Sequence, residues 1–113
     1  GSEMCIRDRL RAGLKGLCEI VDARVGDKTL VDTLSPAVDV MEEAAEAGKN
    51  FAEALSEMKH AAETGRDSTK DMVAKFGRSS RLGERSRGVL DAGATSCCII
   101  LQSMADGIMD ILL

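Results

Sequence analysis

Aromatic residues are almost missing: the 113 residues include two phenylalanines, no tyrosine and no tryptophan. That leaves no set of rings on which single-stranded bases could stack. A basic excess is missing too. The net charge is −4, whereas binding to a phosphate backbone draws on clustered positive charge. Nucleic acid is therefore not an expected partner. Nor is there an unbroken apolar run: the most apolar segment, Ala94 to Leu113, carries Gln102, Asp106 and Asp110. It reads as a buried core helix rather than a membrane span. The four cysteines, Cys5, Cys18, Cys97 and Cys98, lack the C-x-x-C spacing of a zinc site. Adjacent cysteines on a helix point apart and cannot bridge to each other without strain. The first residues are polar and charged, with no apolar h-region. The expectation is a cytoplasmic protein whose cysteines are reduced core thiols.

What is present reads as a single globular helical domain. Hydrophobic residues make up 44% and charged residues 30%, with one proline and no strand-like alternation. Leu10, Leu14, Leu17 and Val21 are spaced for a first helix. Gly26-Asp27 breaks it, and Asp27 is placed to cap the next. That helix carries Leu30, Leu34, Ala37, Val38, Met41, Ala44 and Ala45 on one face; Pro36 should bend it and Gly48 end it. Asn50 with Glu53 marks a third start, followed by the stripe Phe51, Ala54, Leu55, Met58, Ala61 and Ala62. Gly65 is placed to end it, and Ser68 with Asp71 to open a short helix through Met72 and Phe76. The last helix is apolar nearly all round, at Cys97, Ile100, Leu101, Met104, Ile108 and Ile111. The methionines at 41, 58, 72, 104 and 109 fit core-filling positions. His60 falls on a polar face and reads as a surface residue. Glu42, Glu43, Glu46 and Glu53 read as a solvated acidic face.

Gly1 to Arg9 stands apart. The segment back-translates, in frame, to the end of a widely used transposase sequencing adapter. An expression-tag scar is the alternative origin, and either is set aside from fold reasoning. On this reading the natural sequence begins near Leu10 and an N-terminal part is missing.

Two stretches could carry chemistry. Gly77 to Gly93 is a glycine- and arginine-rich loop of about 17 residues, long for a compact domain. Glycines let main-chain amides approach an anion, and arginine forks match phosphate oxygens. A solvated basic loop is the bland alternative, and Glu84 with Arg85 could form a structural ion pair within it. Gly26-Asp27-Lys28-Thr29 opens a helix, where free amides and the dipole favour anions. It lacks the glycine spacing and preceding strand of a Walker loop, and taken by itself it reads first as a capping aspartate after a turn glycine.

Taken together, the two stretches resemble the paired signatures of the dihydroxyacetone kinase L-subunit family. The first is Gly26-Asp27-Lys28-Thr29-Leu30-x-Asp32-Thr33-Leu34. The second is Gly77-Arg78-x-Ser80-x-Leu82-Gly83-Glu84-Arg85-Ser86-x-Gly88, followed by Asp91-x-Gly93-Ala94. Their order and separation also match, as does the stretch Thr69 to Lys75, and the resemblance covers Leu10 to Leu113. It implies an all-α antiparallel bundle, about half of an eight-helix barrel whose narrow end is plugged by ADP or ATP. It implies phosphoryl transfer to dihydroxyacetone held on a separate K subunit, with a phosphotransferase-system M subunit as a further partner in some members. The resemblance places Arg78 at the nucleotide phosphates, Leu30 against the adenine, and Asp91, Ala92 and Gly93 in the turn that closes on the nucleotide. Gly26, Thr29 and Gly77 are further candidates. Three positions depart from the family: Ala92 replaces a proline, Arg81 a tyrosine, and Val21 stands where a glycine often lies. The family's Mg2+ is held by aspartates of a G-D-x-D-H-G motif that does not occur in this chain. Neither a metal ligand nor a catalytic residue is therefore expected here, and the fragment is expected to be inactive alone. A non-enzymatic helical scaffold is the competing reading. A partial barrel should also expose apolar faces and self-associate.

Overall fold

The computed structural model describes residues 2–20, 24–75 and 78–112. Among these residues four α-helices make an all-α antiparallel bundle: α1 (Ser2–Ile20), α2 (Val31–Glu46), α3 (Phe51–Ser68) and α4 (Ala92–Leu112). Short 3₁₀ segments cover Thr69–Asp71 and Arg78–Ser86. Among the described residues no helix is long and apolar enough to cross a membrane.

The 3.6-residue periodicity accounts for the packing. α3 lies between α2 and α4, and Ala37, Met41, Leu55, Met58, Ala62, Cys98, Leu101 and Ala105 are buried together among the three. Leu55, Met58 and Val38 are wholly buried, and each such side chain contributes roughly 1.5–3 kcal/mol of hydrophobic stabilisation. α1 closes over α2, placing Leu14 against Val31 and Val38. Arg11 holds the pair from outside, its Nη2 lying 2.7 Å from both Asp39 Oδ1 and Glu42 Oε2.

Several local expectations are corrected. α1 starts at Ser2 rather than Leu10, because Ile6 extends the apolar stripe one turn backward onto the core. Val21 and Phe76 lie outside the described residues. Asp27 does not cap α2: the helix starts at Val31, four residues later, with no side-chain cap at Leu30. Asn50 does cap α3, its Oδ1 accepting the Glu53 amide at 2.9 Å. α3 continues past Gly65 to Ser68, because this glycine is a contact point rather than a stop. A Cβ on Gly65 would lie 2.2 Å from the Asp32 carbonyl oxygen. Beyond α3 there is one 3₁₀ turn, and Met72 is already extended. Gly48, with φ +77°, follows the end of α2 as expected.

α4 is not apolar-packed all round. Ile100 is 67% exposed and Ile111 85%, so one face of α4 meets the bundle and the other meets solvent. Cys98 is buried and Cys97 half-buried, but Cys18 is exposed and is no core thiol. Burial pushes the Cys97 thiol above its ordinary range. Glu42 is drawn out of the solvated acidic face by Arg11, while Glu43, Glu46 and Glu53 stay exposed.

Candidate functional site at one end of the bundle

The bundle places the starts of α2 and α4 and the finish of α3 at the same end, and both signature stretches meet there. Gly26 and Lys28 have positive φ (104° and 62°), so the chain turns twice before α2 begins. Asp32, buried in the first turn of α2, collects that turn. Its Oδ1 accepts the Gly26 amide at 2.6 Å and its Oδ2 the Thr29 amide at 2.9 Å. Thr29 Oγ1 accepts the Val31 amide at 3.2 Å. Asp27 has other partners, accepting the Arg24 amide at 2.9 Å and meeting Lys75 Nζ at 3.0 Å. The Arg24 amide and the Lys75 ammonium hold the Asp27 carboxyl below the usual carboxylate range.

The start of α4 is tied to the same end. Asp91 caps it: Oδ2 accepts the Ala94 amide at 2.8 Å, and the Asp91 carbonyl accepts the Thr95 hydroxyl at 2.8 Å. The Asp91 amide donates to Thr69 Oγ1 at 2.9 Å. Thr33 Oγ1, on α2, donates to the Ala94 carbonyl at 3.2 Å. Gly93 packs onto Leu30: a Cβ on Gly93 would lie 3.7 Å from Leu30 Cβ and 3.2 Å from Asp91 Oδ2. Leu30 and the Asp91–Gly93 turn, 61 or more residues apart in sequence, are thus neighbours, with Ala92 and Gly93 exposed and Leu30 half-buried.

The intervening loop is not an open coil. Arg78–Ser86 forms 3₁₀ turns broken at Gly83, whose φ is +57°. Ser86 is buried; its Oγ accepts the Ala74 amide at 2.9 Å and donates to the Gly83 carbonyl at 2.7 Å. The Gly88 amide donates to the Lys70 carbonyl at 2.6 Å. Glu84 pairs with Arg87 at 3.1 Å, not with Arg85, because in a 3₁₀-like turn the third residue onward lies above. Arg78 opens the segment, and Gly77 lies outside the described residues.

The family model described as the DAK2 domain matches residues 3–106. The chain belongs to the DAK2 domain family. It is 38% identical over 95 residues to the ADP-binding subunit DhaL of the PEP-dependent dihydroxyacetone kinase of Escherichia coli K12, covering 84% of this chain and 45% of the relative. The corresponding ADP-binding subunit of dihydroxyacetone kinase 1 from Listeria innocua is 34% identical over 95 residues, covering 84% and 42%. An L-erythrulose kinase of Pectobacterium atrosepticum is 33% identical over 100 residues, covering 88% and 17%. The chain therefore spans less than half the length of each of these relatives.

The described residues of this DAK2 domain do not fit a magnesium site. Among the described residues no group of three or more His, Cys, Asp or Glu could hold a metal ion. Three carboxylates at this end are already engaged, Asp27 by Lys75, Asp32 by two amides and Asp91 by the Ala94 amide. Two grooves lie away from this end, along the α2–α3 seam beside Lys49, Glu57 and His60, and beside Arg7 and Phe51. His60 is exposed, as its polar face requires.

Sequence reasoning gave no role to Lys28, Thr69 or Ser86. All three are buried. Lys28 Nζ donates to the carbonyls of Met72 at 3.2 Å, Val89 at 2.6 Å and Ser86. A hydroxyl or ammonium that satisfies main-chain groups distant in sequence leaves no spacing signature, since its partners are backbone atoms of any residue type.

Proposed function

We propose that this chain is the nucleotide-binding part of a dihydroxyacetone kinase L-type subunit. ADP or ATP docks at the shared start of α2 and α4, its base against Leu30 and its phosphates toward Arg78. The Asp91, Ala92, Gly93 turn closes on it, with Gly26, Thr29 and Gly77 at the margin. The observation that carries this reading is the packing of Gly93 on Leu30, which joins the two signature stretches into one surface. The relatives, ADP-binding subunits of dihydroxyacetone kinases and an erythrulose kinase, supply the ligand and reaction class.

In the whole protein, the phosphoryl group goes to dihydroxyacetone held on a K subunit. A phosphotransferase-system M subunit is a further partner where the donor is a phosphoprotein. The work of this part is positioning and charge stabilisation, the usual division in phosphoryl transfer. Mg2+ is supplied by residues outside this chain, so the fragment alone is inactive, and its setting is the cytoplasm. Residues 1–9 are proposed to be foreign to the natural gene.

Thermal melting with ADP tests the binding. ADP at ten times its dissociation constant should stabilise the protein by about 1.4 kcal/mol, and Arg78→Ala should abolish the shift. Absence of any shift at millimolar ADP refutes the nucleotide site. The scaffold reading is favoured by one observation, the exposed Ile99, Ile100 and Ile111 on the outer face of α4. It calls for self-association that nucleotide does not alter, measured by sedimentation.

A further inference from the structure

Lys28 is 2% exposed, and a buried ammonium is costly unless its donors are satisfied. Its hydrogen bonds go to main-chain carbonyls before and within the arginine-glycine loop: Met72 ahead of it, Ser86 and Val89 in its second half. Three donors meet three acceptors, which is the full capacity of a lysine. Lys28 is also the one non-glycine residue with positive φ among those described, at 62°. Such a conformation persists where the surroundings over-determine it, and it clusters at functional sites. Glycine would adopt this φ at no steric cost, so the side chain is what the position requires. Neither buried apolar cluster includes Lys28; its contacts are to the loop, and Asp91 follows two residues after Val89.

We propose that Lys28 is a positioning residue: its ammonium acts as a central peg that sets the course of the main chain over Met72–Ala74 and Ser86–Leu90, preorganising the loop and the Asp91–Gly93 turn for nucleotide. The consequence for binding rests on the nucleotide reading above; the ordering of the loop does not. Without the peg, three carbonyls face one another around a void, and the loop must be ordered at the expense of ligand affinity.

The test combines two variants with a small-molecule rescue. Lys28→Gly removes the ammonium and accommodates the backbone turn; Lys28→Met keeps most of the stem and loses the charge. Both should melt cooperatively with undiminished helical circular dichroism. Amides of Ala74, Lys75 and Gly88 should exchange at least about tenfold faster than in the unmodified chain, as local opening replaces a held structure. ADP should bind about tenfold more weakly, the loop-ordering cost now falling on the ligand. Propylammonium, which can donate into the vacated cage, should restore both readouts in Lys28→Gly. Tetramethylammonium, which has no N–H, should not. Unchanged exchange in both variants overturns the proposal, as does rescue by tetramethylammonium or faster exchange with unaltered ADP affinity. If Lys28→Gly does not fold, Lys28→Met decides by its exchange and its ADP affinity. If the unmodified chain fails to bind ADP, the nucleotide reading falls, while exchange and ammonium rescue still decide whether Lys28 orders the loop.

Discussion

Gly65 of α3 lies directly against Pro36 of α2. A Cβ at position 65 would come within 3.0 Å of Pro36 Cγ and 2.2 Å of the Asp32 carbonyl oxygen. Pro36 has no N–H to offer that carbonyl, four residues back in its own helix, and it is over this carbonyl that α3 makes its close approach. The two residues together let the helices meet where the site is anchored. Gly65→Ala should therefore destabilise the bundle by about 1–3 kcal/mol through overpacking, although alanine is the better helix former by about 1 kcal/mol. Urea unfolding measures the balance, and a gain in stability would contradict the contact.

Asp32 is the collector of the turn before α2, accepting the amides of Gly26 and Thr29. Asp32→Ala leaves both without that partner and should cost roughly 2 kcal/mol, since a donor deprived of its acceptor costs about 1–3 kcal/mol when buried and less near solvent. Asp32→Asn, which keeps one acceptor oxygen, should recover part of it. Equal losses for the two variants in a denaturant titration would show that the acceptor is not what matters.

The Arg11–Glu42 pair sets a pH dependence for the attachment of α1. Arg11 beside Glu42 holds that carboxyl below its usual value. A depressed folded-state pKa means stability present above the unfolded value of about 4.3 and lost as pH falls through the lower, folded-state value. Stability should thus be flat near neutrality and decline in acid. Arg11→Met should lower it by about 1 kcal/mol at pH 7, discounted for the partial exposure of the pair, and flatten this part of the acid decline. Melting curves from pH 7 to pH 3 compare the two slopes.

Neighbouring residues of α4 should respond oppositely. Leu101 is buried at 4% exposure and Ile100 lies outside at 67%. Leu101→Ala should cost about 2–5 kcal/mol through the lost burial and the cavity left. Ile100→Lys should stay within about 0.5 kcal/mol of the unmodified chain, and should reduce any association through the outer face. Chemical denaturation and sedimentation read the two effects separately.

These residues also show how far sequence reading reaches. The i, i+3, i+4 spacing of Ala37 and Met41, and of Leu55, Met58 and Ala62, identified the core-facing sides of two helices, because a 3.6-residue period is a property of the chain itself. Asn50 was legible as a cap for the same reason, its partner Glu53 being three residues away. Gly65 and Asp27 misled. A glycine late in a helix looks like a stop, and an aspartate after a turn looks like a cap, unless it is known which atoms lie across from them.

The motif order, the two glycine-bearing stretches and the helical class were determined by the sequence alone, since spacing, charge and backbone permissiveness are carried by residue types. The tertiary structure decided what holds the loop. Asp91 to Thr69, Ser86 to Ala74 and Lys28 to three carbonyls are contacts with main-chain or single hydroxyl atoms 12 to 61 residues away. Such atoms exist at almost every position, so only the fold selects which of them a buried donor reaches. The same holds for α4, whose apolar residues look alike in sequence until packing divides Leu101 from Ile100.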